Sequence, residues 1–224
     1  MPVDLRLYAI VDPEHAGGRS LPDLAKLLAQ GGATLVQLRD KKNDTRVMID
    51  TARALKAALK PFGVPFLVND RVDVALAAGA DGVHVGQTDM APDDARRLLG
   101  PKAIIGLSIN TEALAEAAPV GTLDYVGIGG IYATTSKDQK KPPIGVDGLR
   151  RIVNVFRKRD PKFPSCAIAG INAANAAATI AAGADGVSVI SALSLASDPT
   201  AAAKTMRAVV DDALAARKRP RGGI

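Results

Sequence analysis

The chain has 224 residues, 47% of them hydrophobic and 23% charged, with a formal net charge of +6 at pH 7. That length is usual for one α/β barrel and allows a large buried core. Aromatic residues are only 3% and tryptophan is absent, so Ala, Val, Leu and Ile must build the core, and there is little on which single-stranded nucleic acid could stack.

Strands and helices alternate along the chain. Residues 5–11 read as a strand ending at Asp12; the opening MPVDLRLYAIVD has no long apolar segment and is not a signal peptide. Residues 21–30 read as a helix, with Ser20 as cap and Gly31 and Gly32 as stop. Residues 34–38 are a strand ending in Arg39, Asp40 and Lys41; residues 45–60 are a helix closed by Pro61 and Gly63. The stretch 64–89, VPFLVNDRVDVALAAGADGVHVGQTD, reads strand, helix, strand. Its first strand, 64–68, is an apolar run without helical spacing. Val72, Ala75 and Leu76 then recur at helical spacing up to Gly79, and 82–85 is the next strand. Helices follow at 92–99, 111–118, 146–158, 173–182 and 199–217, and strands at 103–107, 124–128, 165–169 and 186–189. Cys166 is the only cysteine; within a buried strand it acts as a small apolar side chain and excludes a disulfide or a cysteine-rich metal site.

Eight strands alternating with eight helices require a parallel sheet closed into a (β/α)8 TIM barrel. The expected organisation is one domain over residues 1–216 and a basic, disordered tail over 217–224, read as solvated rather than as a nucleic-acid arm. The segment GADGVHV at 79–85 recurs as GADGVSV at 183–189, with weaker copies from Gly32 and Thr122. Each joins a helix stop to a strand start, so the echo reports architecture. Residues 167–184 are mostly Ala and Gly, interrupted by Asn172 and Asn175, and make no membrane span. The expected location is cytoplasmic.

Polar residues gather at the predicted C-terminal strand ends: Asp12, Arg39, Lys41, Asn69, Asp70, Asp89 and Ser108. In a barrel these rim one mouth, where active sites on this fold lie. Asp70 and Asp89 follow successive strands, which as neighbours lie about 4.8 Å apart. Both carboxylates could then share Mg²⁺, commonly held by one or two carboxylates plus substrate phosphates. The plainer alternative is that Asn69 and Asp70 cap the following helix. The long loop 129–145 reads as a lid over anionic groups, with Thr134, Ser136 and Lys137 in it. Gly170, Ile190 and Ser191, after the last two strands, mark a second anion site. Only three glutamates occur, at Glu14, Glu112 and Glu116, so glutamate acid–base chemistry is not expected. His84 alternates with its neighbours so as to face the barrel interior as a satisfied core histidine. His15 is uninformative, and no Ser-His-Asp or Cys-His arrangement is visible.

QLRDK (37–41), VNDRVDVALAAGADGVHVGQTD (68–89), IGLS (105–108), DYVGIGGIYATTSK (124–137), AIAGI (167–171) and GVSVIS (186–191) occur in this order over almost the whole chain. In them the sequence resembles the thiamine-phosphate synthase, or thiamine-phosphate pyrophosphorylase, family. The resemblance implies a transferase that joins 4-amino-5-hydroxymethyl-2-methylpyrimidine diphosphate to 4-methyl-5-(2-hydroxyethyl)thiazole phosphate and releases pyrophosphate with Mg²⁺. It implies Gln37, Arg39, Lys41, Asn69, Ser108 and Lys137 on the pyrimidine diphosphate, with Arg39, Ser108 and Lys137 also serving catalysis. It implies Asp70 and Asp89 on Mg²⁺, and Thr134, Ser136, Gly170, Ile190 and Ser191 on the thiazole phosphate. The family often has Glu where Asp40 stands, and the KDQKKPP segment departs from its pattern. The implied partners are two small phosphorylated substrates, with no nucleic acid or membrane; oligomeric state is left open. The alternatives are a thiazole tautomerase-like enzyme, a non-catalytic thiazole-phosphate-binding regulator, and another phosphate-binding barrel enzyme such as a sugar-phosphate isomerase. Arg39, Lys41, Asp70, Asp89 and Lys137 together argue against the first two, since neither needs a partner for a leaving diphosphate. The scarcity of Glu argues against the third.

Overall fold

The computed structural model describes residues 3–136 and 142–218. Among these, eight parallel strands close a barrel in sequence order, with β1 pairing both β2 and β8. The strands are β1 (Leu7–Val11), β2 (Leu35–Leu38), β3 (Phe66–Asn69), β4 (Gly82–Val85), β5 (Ile104–Ile109), β6 (Tyr125–Gly129), β7 (Ser165–Ile168) and β8 (Gly186–Val189). The helices are α1 (Leu21–Gln30), α2 (Thr45–Leu59), α3 (Val72–Ala78), α4 (Pro92–Leu99), α5 (Glu112–Ala117), α6 (Gly145–Arg159), α7 (Ala176–Ala181), α8 (Ser191–Ser194) and α9 (Pro199–Lys218). The TIM barrel read from the sequence is thus the observed fold.

Alternation along each strand makes two cores. Outward side chains such as Leu7, Ala9 and Val11 pack against apolar helix faces, for example Leu24, Ala25 and Leu28 of α1. Inward side chains, among them Tyr8, Leu35, Leu67, Tyr125 and Cys166, fill the barrel's lower interior. The sequence echo has a hydrogen-bonding role. Asp81, Asp124 and Asp185 each accept from a backbone N–H at the start of the preceding strand: Phe66 at 2.9 Å, Ile105 at 2.8 Å and Ser165 at 3.0 Å. Each also meets a cation from an earlier helix, Lys56, Arg96 or Arg157. Thr34 in the weakest copy does the same for Leu7 N at 3.1 Å.

Several boundaries differ from the sequence expectation for local reasons. β5 runs through Ile109, so Ser108 stands within the strand, not after it. α7 starts at Ala176, not Ala173. Asn172 and Asn175 accept from the backbone N–H groups of Ala174 and Asn172 at 2.9 and 2.8 Å, a turn that competes with helix. Three short elements were not foreseen: α8 and 3-10 turns at Pro13–His15 and Lys60–Phe62. Arg217, the first residue of the expected tail, lies in α9. α9 continues to Lys218, and Arg217 donates to the carbonyls of Ile180 (3.1 Å) and Ala184 (2.7 Å) and to Asp185 (3.0 Å). Those carbonyls at the end of α7 give the guanidinium a reason to order. The rest of the expected tail, 219–224, lies outside the described residues.

Candidate active site

A cavity of about 190 Å³ opens at the C-terminal mouth of the barrel. On one side it is lined by Gln37, Arg39, Lys41, Asn69, Asp70 and Ser108, on the other by Thr134, Ser136, Gly170, Ile190 and Ser191. A wider groove of about 1020 Å³, bordered by Arg53, Lys56, Lys60 and Lys102, lies at the opposite, N-terminal face, where no strand's C-terminal end reaches it.

The two cations after β2 are each held by a carboxylate. Arg39 Nη1 contacts Asp12 Oδ2 at 2.5 Å, and Asp12 is almost fully buried. Lys41 pairs with Asp70. Asp40 between them turns away: its carboxylate accepts from the backbone N–H groups of Lys42 and Asn43 and from the Asn43 side chain. It shapes the bend that presents Lys41, a job a short carboxylate does directly.

Asn69 ends β3 in register with His84. Asp70 follows with φ of 61°, a left-handed conformation uncommon outside glycine. The helix-capping alternative falls, because α3 receives no side-chain cap. The Asp70 carboxyl is instead free to face Lys41 and Asp89. Burial pushes its pKa upward; Lys41 pulls it down and nearby Asp89 pushes it up again, and the net shift is upward. Asp89 itself accepts from Gly86 N at 2.7 Å. No group of three or more His, Cys, Asp or Glu suited to a metal ion occurs among the described residues. A cation at Asp70 and Asp89 would therefore complete its shell with ligand and water oxygens, the habit of Mg²⁺.

On the far side, the start of the loop between β6 and α6 is tied to the end of β7. Ile131 N donates to Ile168 O at 3.0 Å and Tyr132 N to Ala169 O at 3.2 Å. Thr134 Oγ1 accepts from Ser136 N at 3.2 Å, and Ser136 Oγ donates to Ser191 Oγ at 2.9 Å. Gly170 has φ of 67°, and a Cβ there would lie 2.5 Å from the Ala133 carbonyl oxygen, so only glycine fits between the β6–α6 loop and β7. Ala169 before it also has positive φ, 79°, local strain of the kind found at ligand sites. Ile190 precedes α8, and Ser191 opens it. Lys137 lies outside the described residues.

The floor of the cavity holds residues that the sequence reading did not place in the site: Tyr8, Cys166, Ile168 and Ser188. Ser188 is buried and its Oγ has no hydrogen-bond partner among the described residues. The echo could have revealed it, since Ser188 occupies the position that His84 holds in the other copy. His84 faces inward as expected, with Nδ1 2.8 Å from the Tyr125 hydroxyl and Nε2 2.8 Å from Ser108 Oγ.

Comparison with known proteins adds independent information. A family profile described as thiamine monophosphate synthase matches residues 7–193. A thiamine-phosphate synthase of Agrobacterium fabrum is 48% identical over 216 residues, covering 96% of this chain and 98% of its own. One from Moorella thermoacetica is 46% identical over 204 residues, covering 91% and 95%. Among solved structures, a thiamine phosphate pyrophosphorylase from Pyrococcus furiosus superposes with a TM-score of 0.82 at 35% identity, covering 95% of this chain and 98% of its own. No helix among the described residues is long and apolar enough to cross a membrane.

Proposed function

Because the chain belongs to the thiamine monophosphate synthase family and is a transferase of thiamine biosynthesis, we propose that the cavity at its C-terminal mouth is where pyrimidine diphosphate and thiazole phosphate are joined. The observation that carries this reading is that one cavity has two differently built ends. One end offers Arg39, Lys41 and a carboxylate pair, suited to a diphosphate. The other offers hydroxyls and glycine-opened backbone, suited to a phosphate monoester.

Arg39 grips diphosphate oxygens with the donors that Asp12 leaves over, and Asp12 fixes its plane. Lys41 moves its charge from Asp70 to the departing group. Asn69 and Gln37 orient the pyrimidine ring, and Lys137 adds charge. Asp70 and Asp89 fit Mg²⁺: two hard oxygen donors stand together, and burial with the neighbouring Asp89 carboxylate outweighs the pull of Lys41 on Asp70. When bound there, Mg²⁺ would offset negative charge on the diphosphate.

The thiazole nitrogen attacks with a lone pair and carries no proton, so the new C–N bond needs no general base. This agrees with a lining that contains no glutamate. The barrier lies in expelling pyrophosphate, and the pyrimidine 4-amino group donates electrons toward the methylene carbon it leaves. The substitution is therefore dissociative, through a carbocation-like pyrimidine state. The same reading has the enzyme work in the cytoplasm on two small substrates, without nucleic acid or membrane partners.

Incubating the protein with both substrates and Mg²⁺ should yield thiamine phosphate and pyrophosphate in equal amounts. Binding of the thiazole phosphate without product would instead favour the regulator or tautomerase alternatives.

A further inference from the structure

One polar group on the cavity floor is left over by the reaction outlined above. Ser188 lines the cavity, is only 3% exposed, and its Oγ has no hydrogen-bond partner among the described residues. Every other buried serine or threonine among them has one. Ser136 meets Ser191, Ser165 meets Asp185, Ser194 meets the Ile10 carbonyl and Thr179 the Ala176 carbonyl. A buried hydroxyl without a partner costs free energy. One that also faces a cavity can be satisfied by what enters the cavity.

The setting narrows what that is. Ser188 stands in register with Tyr8 of β1 and Ile168 of β7, and all three line the cavity with Ile10 and Cys166. The Tyr8 hydroxyl is already engaged with Gln37 and Tyr125. Ser188 therefore offers an unengaged hydroxyl among apolar side chains, a surface suited to a flat heteroaromatic ring with a polar edge. Depth excludes the phosphates. Ser188 lies two residues below Ile190, about 7 Å along the strand, so a phosphate held at Gly170 and Ser191 stays above it. Arg39 and Lys41, which suit a diphosphate, follow β2, while Ser188 lies within β8.

On the functional reading given above, on which this inference rests, two rings remain. The thiazole has one good acceptor, the nitrogen whose lone pair forms the new C–N bond, and a donor on that pair would block the attack. The pyrimidine has two ring nitrogens, and neither changes its bonding in the reaction. Its 4-amino group is a poor acceptor, because that lone pair is delocalised into the ring. We infer that Ser188 is a further binding residue, whose hydroxyl donates to a pyrimidine ring nitrogen and seats that ring on the cavity floor.

Ser188→Ala removes only the hydroxyl, and calorimetric titration with Mg²⁺ reads the effect. The pyrimidine ligand is an unreactive diphosphate analogue with CH2 in place of the oxygen whose bond to carbon is cleaved. Its Kd should rise about tenfold in the variant, the worth of one hydrogen bond, and the Kd of thiazole phosphate should stay within twofold. A second analogue, with C–H in place of both ring nitrogens and the 4-amino group kept, should bind the unaltered protein and the variant alike. An unchanged Kd for the first analogue, equal weakening of both substrates' ligands, or a further tenfold loss with the second analogue overturns the inference. The ligand-free variant should melt no lower than the unaltered protein, since no hydrogen bond is removed; a lower melting temperature would show that the hydroxyl is already satisfied and would overturn it too. If the unaltered protein forms no thiamine phosphate, the functional reading fails and this inference with it. If it forms product and Ser188→Ala binds the pyrimidine analogue as tightly, this inference alone fails.

Discussion

Asp70 joins three demands in one residue: a left-handed backbone, partial burial and a second carboxylate nearby. Its folded pKa is raised, so the folded protein holds that proton more tightly than the unfolded chain. Stability is then lost as pH rises from the ordinary carboxylate value through the higher folded one. At pH 7 the ionised side chain therefore weighs against folding. Asp70→Asn removes the charge and keeps a residue type that tolerates positive φ. It should raise the melting temperature in magnesium-free buffer at pH 7, with the gain fading below about pH 4, while lowering turnover by about 10²–10³-fold. Thermal melts at the two pH values check the first part; a lower melting temperature at pH 7 would contradict it. At this scale the sequence was informative about chemistry and poor about conformation. The charged types at strand ends were legible, but the φ of Asp70 and the inward turn of Ser188 depend on neighbours far apart in the chain.

The barrel corners depend on a repeated device. Asp185 accepts from the buried strand start at Ser165 and is held by Arg157 and Arg217. Asp185→Ala strands that N–H and two guanidinium groups, and should destabilise the fold by about 2–3 kcal/mol. Asp185→Asn keeps an acceptor for Ser165 and should lose less. Urea denaturation distinguishes the two; equal losses would mean that the ion pairs, not the backbone bond, carry the corner. Turnover measured where both remain folded should be unchanged, because the corner lies at the mouth opposite the cavity. The echo itself was visible in the sequence because the same hydrogen bonds recur. The strand–helix alternation was legible because each helix buries one face and each strand is a short, mostly apolar run. Element ends were less so. Ser108 continues β5, and Asn172 and Asn175 delay α7, because side-chain hydrogen bonds outweigh the periodic pattern there.

Over the whole molecule, closure of the barrel brings residues from β1 through β8 onto one cavity and sets Arg39 and Lys41 at one end of it and Ser136 and Ser191 at the other. Ser191→Asp places a negative charge at the end where Ser191 meets Ser136 of the β6–α6 loop. It should weaken thiazole phosphate binding strongly and leave pyrimidine diphosphate binding little changed. Calorimetric titration of each ligand alone checks this, and equal weakening would mean that the two ends are not independent. The central claim is that this mouth works by stabilising a departing charge and uses no general base. Its most direct test is a single-turnover comparison of pyrimidine diphosphates with and without electron-withdrawing ring substituents, at saturating substrate and with chemistry rate-limiting. The account predicts that such substituents slow the chemical step sharply; an unchanged or faster step would contradict it in favour of direct associative displacement.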